Sequence, residues 1–263
     1  MNIGFIGCGR MGSALAKSLI LNGFSAKSVS CFDHNTENLV KMESYGARIS
    51  KSCEDIAKNS NVIFLCVKPN DMQKTLLEIK GLINDQVIIS IAAGKKLPFY
   101  RKMLGERKIV RLMPNIAALA GESMNAFACI NLQPGEKDEI ALLLKLCGPA
   151  IEIAEEHFDS VTAISGCGPA FVSLFAQALI RAGENNGLEK NTARLLAVQT
   201  ILGTAKLLDG QKLEPEAIVE MVSSPAGATM AGIKILEEGE FEKVIGDAVG
   251  AARKRSEEMG KDE

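Results

Sequence analysis

The sequence predicts an α/β protein in two parts, a doubly wound sheet over residues 1–155 and an all-helical domain over 156–263. Three observations predict it. A short apolar strand runs into a glycine-rich turn and a helix at the start of the chain. Apolar runs of strand length then alternate with helical segments to about residue 155. Beyond that point no convincing strand remains.

Ile3, Phe5 and Ile6 form a buried strand, Gly7-Cys8-Gly9-Arg10-Met11-Gly12 follows at once, and Ser13 to Leu21 carries helical apolar spacing. Strand, glycine turn and helix in that order form the context of a dinucleotide-binding, Rossmann-type unit. Gly7 permits the tight turn, Gly9 lets backbone approach a pyrophosphate, and Gly12 lets helix and strand pack closely. The helix N-terminus offers N–H groups and a positive dipole end. Asp33 closes a second apolar run (Val29, Cys31, Phe32) about 20 residues past Gly12, where an acidic side chain meets the adenosine ribose. A glycine turn that serves packing alone is the plainer alternative.

Thr36 to Ser44 reads as a helix and Gly46 to Ile49 as a short strand, and Ser52 caps a helix reaching Asn59. Asn61 to Val67 is a continuous apolar run, which suits a parallel strand covered on both faces. Pro69 opens a helix to about Lys80, Gln86 to Ile91 is the next strand, and a helix over Leu97 to Leu104 leads to strand Lys108 to Met113. Ala126 to Ile130 and Ala150 to Ile153 extend the sheet, with a helix from Glu136 to Leu146 between them.

In the second part, Pro169 to Gly183 is apolar nearly all round, with Ser173, Gln177 and Arg181 on one stripe. So narrow a wet face predicts burial on most sides. Asn191 to Leu208 follows, with Gly203 inside it, where a close helix–helix approach would offset the propensity loss. Glu214 to Val222, Ala226 to Glu237 and Phe241 to Met259 complete the domain, and the terminal Gly-Lys-Asp-Glu reads as frayed. So much apolar helix predicts a second copy of the chain as partner.

Composition narrows the function. A net charge of −2 favours neither nucleic acid nor an anionic membrane surface. No apolar run reaches the roughly 18 residues of a membrane span, and a core strand at Ile3 leaves no room for a signal peptide. Seven scattered cysteines without a C-x-x-C pair point to buried thiols in a reducing cytoplasm, not to disulfides or a metal. Two histidines in unrelated settings, His34 and His157, remove most hydrolytic triads and zinc sites.

In open α/β sheets the ligand lies beyond the carboxyl ends of the strands. Those ends are Gly7-Cys8-Gly9, Asp33, Val67-Lys68-Pro69, Ala92-Ala93-Gly94 and Met113-Pro114-Asn115. Lys68 either reaches the cofactor or is a solvated loop lysine. A second candidate is Val222 to Thr229, in which Ser224 and Pro225 read as N-cap and first helical residue. The small Ala226, Gly227 and Ala228 would let a carboxylate approach backbone N–H groups there. An ordinary capped helix is the alternative, as it is for Ser165 to Phe171.

Together these pieces resemble the pyrroline-5-carboxylate reductase family over essentially the whole chain. The likeness rests on the N-terminal Gly-Phe-Ile-Gly-Cys-Gly-Arg-Met-Gly, Val67-Lys-Pro69, Met113-Pro-Asn115, Ser165-Gly-Cys-Gly-Pro-Ala-Phe171 and Ser223-Ser-Pro-Ala-Gly-Ala-Thr-Met-Ala-Gly232. It implies reduction of 1-pyrroline-5-carboxylate to L-proline with NADPH or NADH, by hydride transfer to the imine carbon. It also implies a homodimer through the helical domain, assembling further toward a homodecamer. Carried over, it puts cofactor on Ile6, Gly7, Cys8, Gly9, Arg10, Met11, Gly12, Asp33, Val67, Lys68, Pro69 and Ala93. It puts the substrate carboxylate on Gly227, Ala228 and Thr229, with Glu155 near the bound ring and Ser224 and Thr229 as the catalytic hydroxyls.

Departures from the family pattern are Cys167 and Phe171 in place of hydroxyl residues, Ala226 where glycine is common, and Ile116-Ala117 where Thr-Pro is frequent. Asp33 would repel a 2′-phosphate, which favours NADH. A β-hydroxyacid dehydrogenase shares the layout but needs a lysine early in the first inter-domain helix, and residues 168–187 hold none. A non-catalytic dinucleotide sensor is the rival of another class.

Overall fold

The computed structural model describes residues 1–211 and 213–260. Residues 261–263, most of the expected frayed end, lie outside them. The chain forms two compact units, Met1–Cys167 with the stretch from Ala252 onward, and Gly168–Ala251. Their boundary falls twelve residues beyond the sequence-expected one, counted from 155 to 167, and the first unit takes back the end of the last helix.

In the first unit, β1 (Ile3–Ile6), α1 (Arg10–Leu21), β2 (Val29–Phe32), α2 (Thr36–Ser44), β3 (Arg48–Ile49), α3 (Cys53–Asn59), β4 (Val62–Leu65), α4 (Met72–Ile79), β5 (Val87–Ser90), α5 (Leu97–Leu104) and β6 (Lys108–Met113) alternate in order. Then come β7 (Asn125–Ile130), α6 (Pro134–Lys145), β8 (Ala150–Glu152) and α7 (Phe158–Val161). The strand order is β3-β2-β1-β4-β5-β6-β7-β8, so its direction of growth reverses between β1 and β4, the switch point where dinucleotides bind.

Strands β1, β4 and β5 are buried at every residue, as their unbroken apolar runs require of a sheet covered on both faces. Successive side chains alternate between two cores. Ile3 and Phe5 join Phe64, Ile89 and Val110 on one face, with Phe5 stacked on Phe64 at 4.6 Å. Ile6 joins Ile63, Leu65 and Ile88 on the other. All sheet pairs are parallel except β6 with β7, which are antiparallel. Their link is a short 3-10 turn, Ile116–Ala120, with no helix to carry a crossover back to the far end of the sheet.

The helix expected from Pro69 starts later, because Pro69–Asp71 is a 3-10 turn and α4 begins at Met72. Ser52 does cap α3, accepting the Asp55 N–H. Between α7 and the next helix, Thr162–Gly166 is a π-helical turn.

The second unit holds α8 (Gly168–Asn185), α9 (Lys190–Gly210), α10 (Pro215–Val222), α11 (Ala228–Glu238) and the start of α12 (Phe241–Met259). Helices α8 and α9 approach closely at Gly183, where a Cβ would lie 3.0 Å from the Ala193 Cβ. Gly203, expected to serve that purpose, faces open space within the chain. The apolar surface of α8 is also uncovered within the chain: none of its residues is buried, and Leu174 is 64% exposed. A further correction concerns length. Glu155–Asn185 is long and apolar enough to cross a membrane, against the expectation that no segment is, because polar residues recur only about once per turn along α8.

Candidate functional site

The glycine turn is built by exclusion of side chains. Gly7 has φ +92°, and a Cβ on it would stand 2.8 Å from the backbone of Cys66. A Cβ on Gly12 would fall 2.1 Å from the Gly7 carbonyl oxygen. Gly9, by contrast, has nothing within 4 Å of that position. Gly7 and Gly12 therefore close the strand–helix contact, and Gly9 leaves open space beside the turn. Gly9 is also the N-cap of α1, which carries no side-chain cap and no acidic residue in its first turn. Among the described residues, no side chain caps its first N–H groups.

Asp33, just beyond β2, reaches back to this turn. Its Oδ2 accepts the Cys8 N–H at 2.6 Å and Asn38 Nδ2 at 3.3 Å, and its Oδ1 accepts the Asn35 N–H at 2.7 Å. The sequence assigns it to a ribose; in the structure it also pins the glycine turn, with acceptor capacity to spare, because a carboxylate offers about four lone-pair sites. Cys8 thus spends its N–H on Asp33 instead of offering it to phosphate. A hydrogen bond with Cys31, then burial, push the Cys8 thiol far up, and burial does the same to Cys66. The thiols beneath the turn are therefore neutral and do not oppose an anion.

A cavity of about 400 Å³ opens beside the turn, lined among others by Ile6, Gly7, Gly9, Asp33, Val67 and Lys68. These six are brought together as expected. Cys8, Arg10, Met11, Gly12, Pro69 and Ala93 are not in the lining. Pro69 starts the 3-10 turn that follows Lys68. Ala93 stands in the β5–α5 loop, residues 91–96. His34, Asn35 and Asn38 also line the cavity and were missed. Their signal is position, since all three follow Asp33 at the switch point.

Glu155, which the resemblance places near the bound ring, is engaged with two groups of the protein. Its Oε1 accepts the Leu97 N–H at 2.7 Å and Arg111 Nη1 at 3.0 Å, and the guanidinium lies 4.4 Å over the Phe158 ring. Arg111 is 3% exposed, so its charge is matched inside the protein and not by solvent. Two family-like motifs also meet here. Asn115 Nδ2 donates to the carbonyl and hydroxyl of Ser165, both at 3.2 Å.

In the second unit, Ser224 and Pro225 do not start a helix, which corrects the sequence reading. The Gly227 N–H donates to the Ser224 carbonyl at 2.9 Å, and Ala226 has φ +60°. Proline second and a left-handed residue third make a type II β-turn over 224–227. Gly227 then caps α11, with no side-chain cap and no acidic residue in its first turn. A Cβ on Gly227 would meet Ser224 Oγ at 2.4 Å and the Ser224 carbonyl oxygen at 3.0 Å, so a larger residue there requires the serine to rotate and the turn to give. Ala228 and Thr229 are the first two helical residues, and their N–H groups belong to the set a helix leaves unpaired.

Two family descriptions match the chain, pyrroline-5-carboxylate reductase dimerisation over residues 155–259 and coenzyme F420-dependent NADP oxidoreductase over residues 2–94. The pyrroline-5-carboxylate reductase of Arabidopsis thaliana is 34% identical, covering 98% of this chain and 95% of the relative. That of Escherichia coli is 32% identical, covering 98% of each. Among solved structures, the Plasmodium falciparum pyrroline carboxylate reductase with NADP bound superposes with a TM-score of 0.90 at 32% identity, covering 99% of this chain and 98% of the other. The Coxiella burnetii pyrroline-5-carboxylate reductase gives 0.92 at 30% identity, covering 98% of each.

Proposed function

The chain belongs to the pyrroline-5-carboxylate reductase family, and from that premise we propose that it reduces 1-pyrroline-5-carboxylate to L-proline at the expense of NADH or NADPH. The observation that carries the reading is likeness to named reductases along nearly the full length of both chains, including both glycine-bearing turns. A glycine turn alone is shared by many dehydrogenases.

The residues fit a dinucleotide, because the space at Gly9 is open while Gly7 and Gly12, where a Cβ would strike backbone, let strand and helix pack closely enough to form the turn. Ile6, Gly7, Gly9, Asp33, Val67 and Lys68 would line the nucleotide, with Cys8, Arg10, Met11, Gly12, Pro69 and Ala93 in supporting or adjoining positions. Bound NAD(P)H supplies the hydride that the imine carbon receives. The N–H groups of Ala228 and Thr229 hold the substrate carboxylate at the start of α11, and Gly227, whose own N–H closes the turn on the Ser224 carbonyl, lets it approach the backbone. Thr229 passes its hydroxyl proton to the ring nitrogen and is reprotonated from solvent, with Ser224, in the turn, as the second hydroxyl. Little acid–base power is needed, so most of the rate comes from holding donor and acceptor carbons together.

Asp33 favours NADH, since a second anion beside it is repelled. Seven free thiols support a cytoplasmic enzyme. The dimerisation region and the uncovered apolar helices support a homodimer or a larger assembly, including a decamer, with the second copy and not lipid covering α8.

Consumption of NADH or NADPH with the cyclic imine tests the activity. The wild type oxidises both, and Thr229→Ala lowers kcat about 10- to 100-fold. Cofactor binding with no turnover of the imine would leave the sensor reading in its place.

A further inference from the structure

Helix α5 lacks a cap of its own. Its N-cap, Lys96, makes no side-chain bond to the first turn, and Pro98 has no N–H to offer. The Phe99 N–H is taken by the Lys96 carbonyl at 3.0 Å. That leaves the Leu97 N–H, and the acceptor comes from far along the chain, as Glu155 Oε1. The same carboxylate oxygen receives Arg111 from β6. Glu155 therefore ties the end of the β5–α5 loop to the sheet, and its negative charge sits at the positive end of α5.

The rest of that loop is held in two further places. At its start, the Ser90 hydroxyl is hydrogen-bonded to Tyr100 and accepts the Ala92 N–H. At Gly94, with φ +80°, a Cβ would stand 2.9 Å from the Met259 carbonyl oxygen, so the end of α12 packs on the loop backbone. Ser256, 6% exposed, fixes that end by donating to Asp159 Oδ1 at 2.6 Å. Glu155 and Asp159, i and i+4 on consecutive helical turns, thus secure both partners of the loop that carries Ala93.

We propose that Glu155 is a positioning residue for the reduction, which fixes the β5–α5 loop that carries Ala93 for the bound cofactor through the Leu97 N–H and does not touch the imine. This rests on the reductase reading, which assigns Ala93 to the cofactor. The chemistry that distinguishes it is the acceptor, not the charge, because a neutral acceptor at 155 would still take the Leu97 N–H.

Two double variants isolate that acceptor. Arg111→Met with Glu155→Gln keeps it, and Arg111→Met with Glu155→Leu removes it. Neither strands a buried charge, so both fold. NADH titrated without imine is expected to bind about fivefold more weakly to the leucine variant than to the glutamine variant, the worth of one hydrogen bond. The KM for the imine at saturating NADH is expected to agree within about twofold between them. Equal NADH affinities would overturn the proposal, and so would an imine KM that separates the variants while NADH affinity does not. A wild type that binds NADH but never oxidises it with the imine refutes the reductase reading alone and leaves the binding comparison intact.

Discussion

Ala226 occupies a backbone conformation that suits glycine better, at φ +60°. The left-handed region costs a residue with a Cβ about 1–2 kcal/mol, and glycine's extra unfolded-state freedom returns about 0.5–1. Ala226→Gly is therefore expected to stabilise by up to about 1 kcal/mol, read as a rise in Tm. Its neighbour has no such latitude. Gly227→Ala places a Cβ against Ser224 Oγ and carbonyl, so the turn must shift, and the imine KM is expected to rise about tenfold or more with NADH affinity unchanged. Asp33→Asn removes the charge facing a 2′-phosphate while keeping an acceptor for the Cys8 N–H. The ratio of kcat/KM for NADPH over NADH is expected to rise about tenfold. Gly7, Gly9 and Gly12 were legible from spacing because their roles come from a missing Cβ. Ser224 was misread, because Ser-Pro opens a helix and a type II turn equally well and only the φ of Ala226 separates them.

Among elements, the junction of β6 and α6 titrates. Lys108 is paired with Asp85 and with Glu136, and Glu136 also accepts the Gln133 N–H in a capping box. The Lys108 hydrogen bond first, then Gln133, hold the Glu136 carboxyl below its usual 4.5. A depressed carboxylate contributes stability above its unfolded value, and the contribution is lost as pH falls through the folded one. Asp85 first, then Glu136, hold Lys108 above its usual 10.5, so its share is present below that value and lost as pH rises further. Glu136→Gln is expected to flatten the dependence of the urea midpoint on pH between about 3 and 6. Strands β1, β4 and β5 were readable because each is a bounded apolar run, and β6 because only Arg111 interrupts its apolar residues after Lys108. The direction of β7 was not, since strand pairing depends on how the chain returns and not on the strand's own residues. The cap of α5 was equally hidden, lying at Glu155 in distant sequence.

The assembled protein is expected to have at least twice the chain mass of 28.1 kDa by light scattering. Leu174 and Leu195, 64% and 68% exposed within the chain, lie on the helices that a second copy would cover. Changing both to Asp is expected to lower that mass toward one chain, because a charge facing an apolar partner is costly to bury. The helical part was legible as apolar and unpaired, whereas its internal close approach was not: Gly183 and not Gly203 meets the neighbouring helix. One packing detail bears on how the polypeptide is made. Gly94 rests against the carbonyl of Met259, a residue the ribosome adds long after it. The packing of the β5–α5 loop is thus completed only once α12 has left the exit tunnel, after the strands beside it have been made.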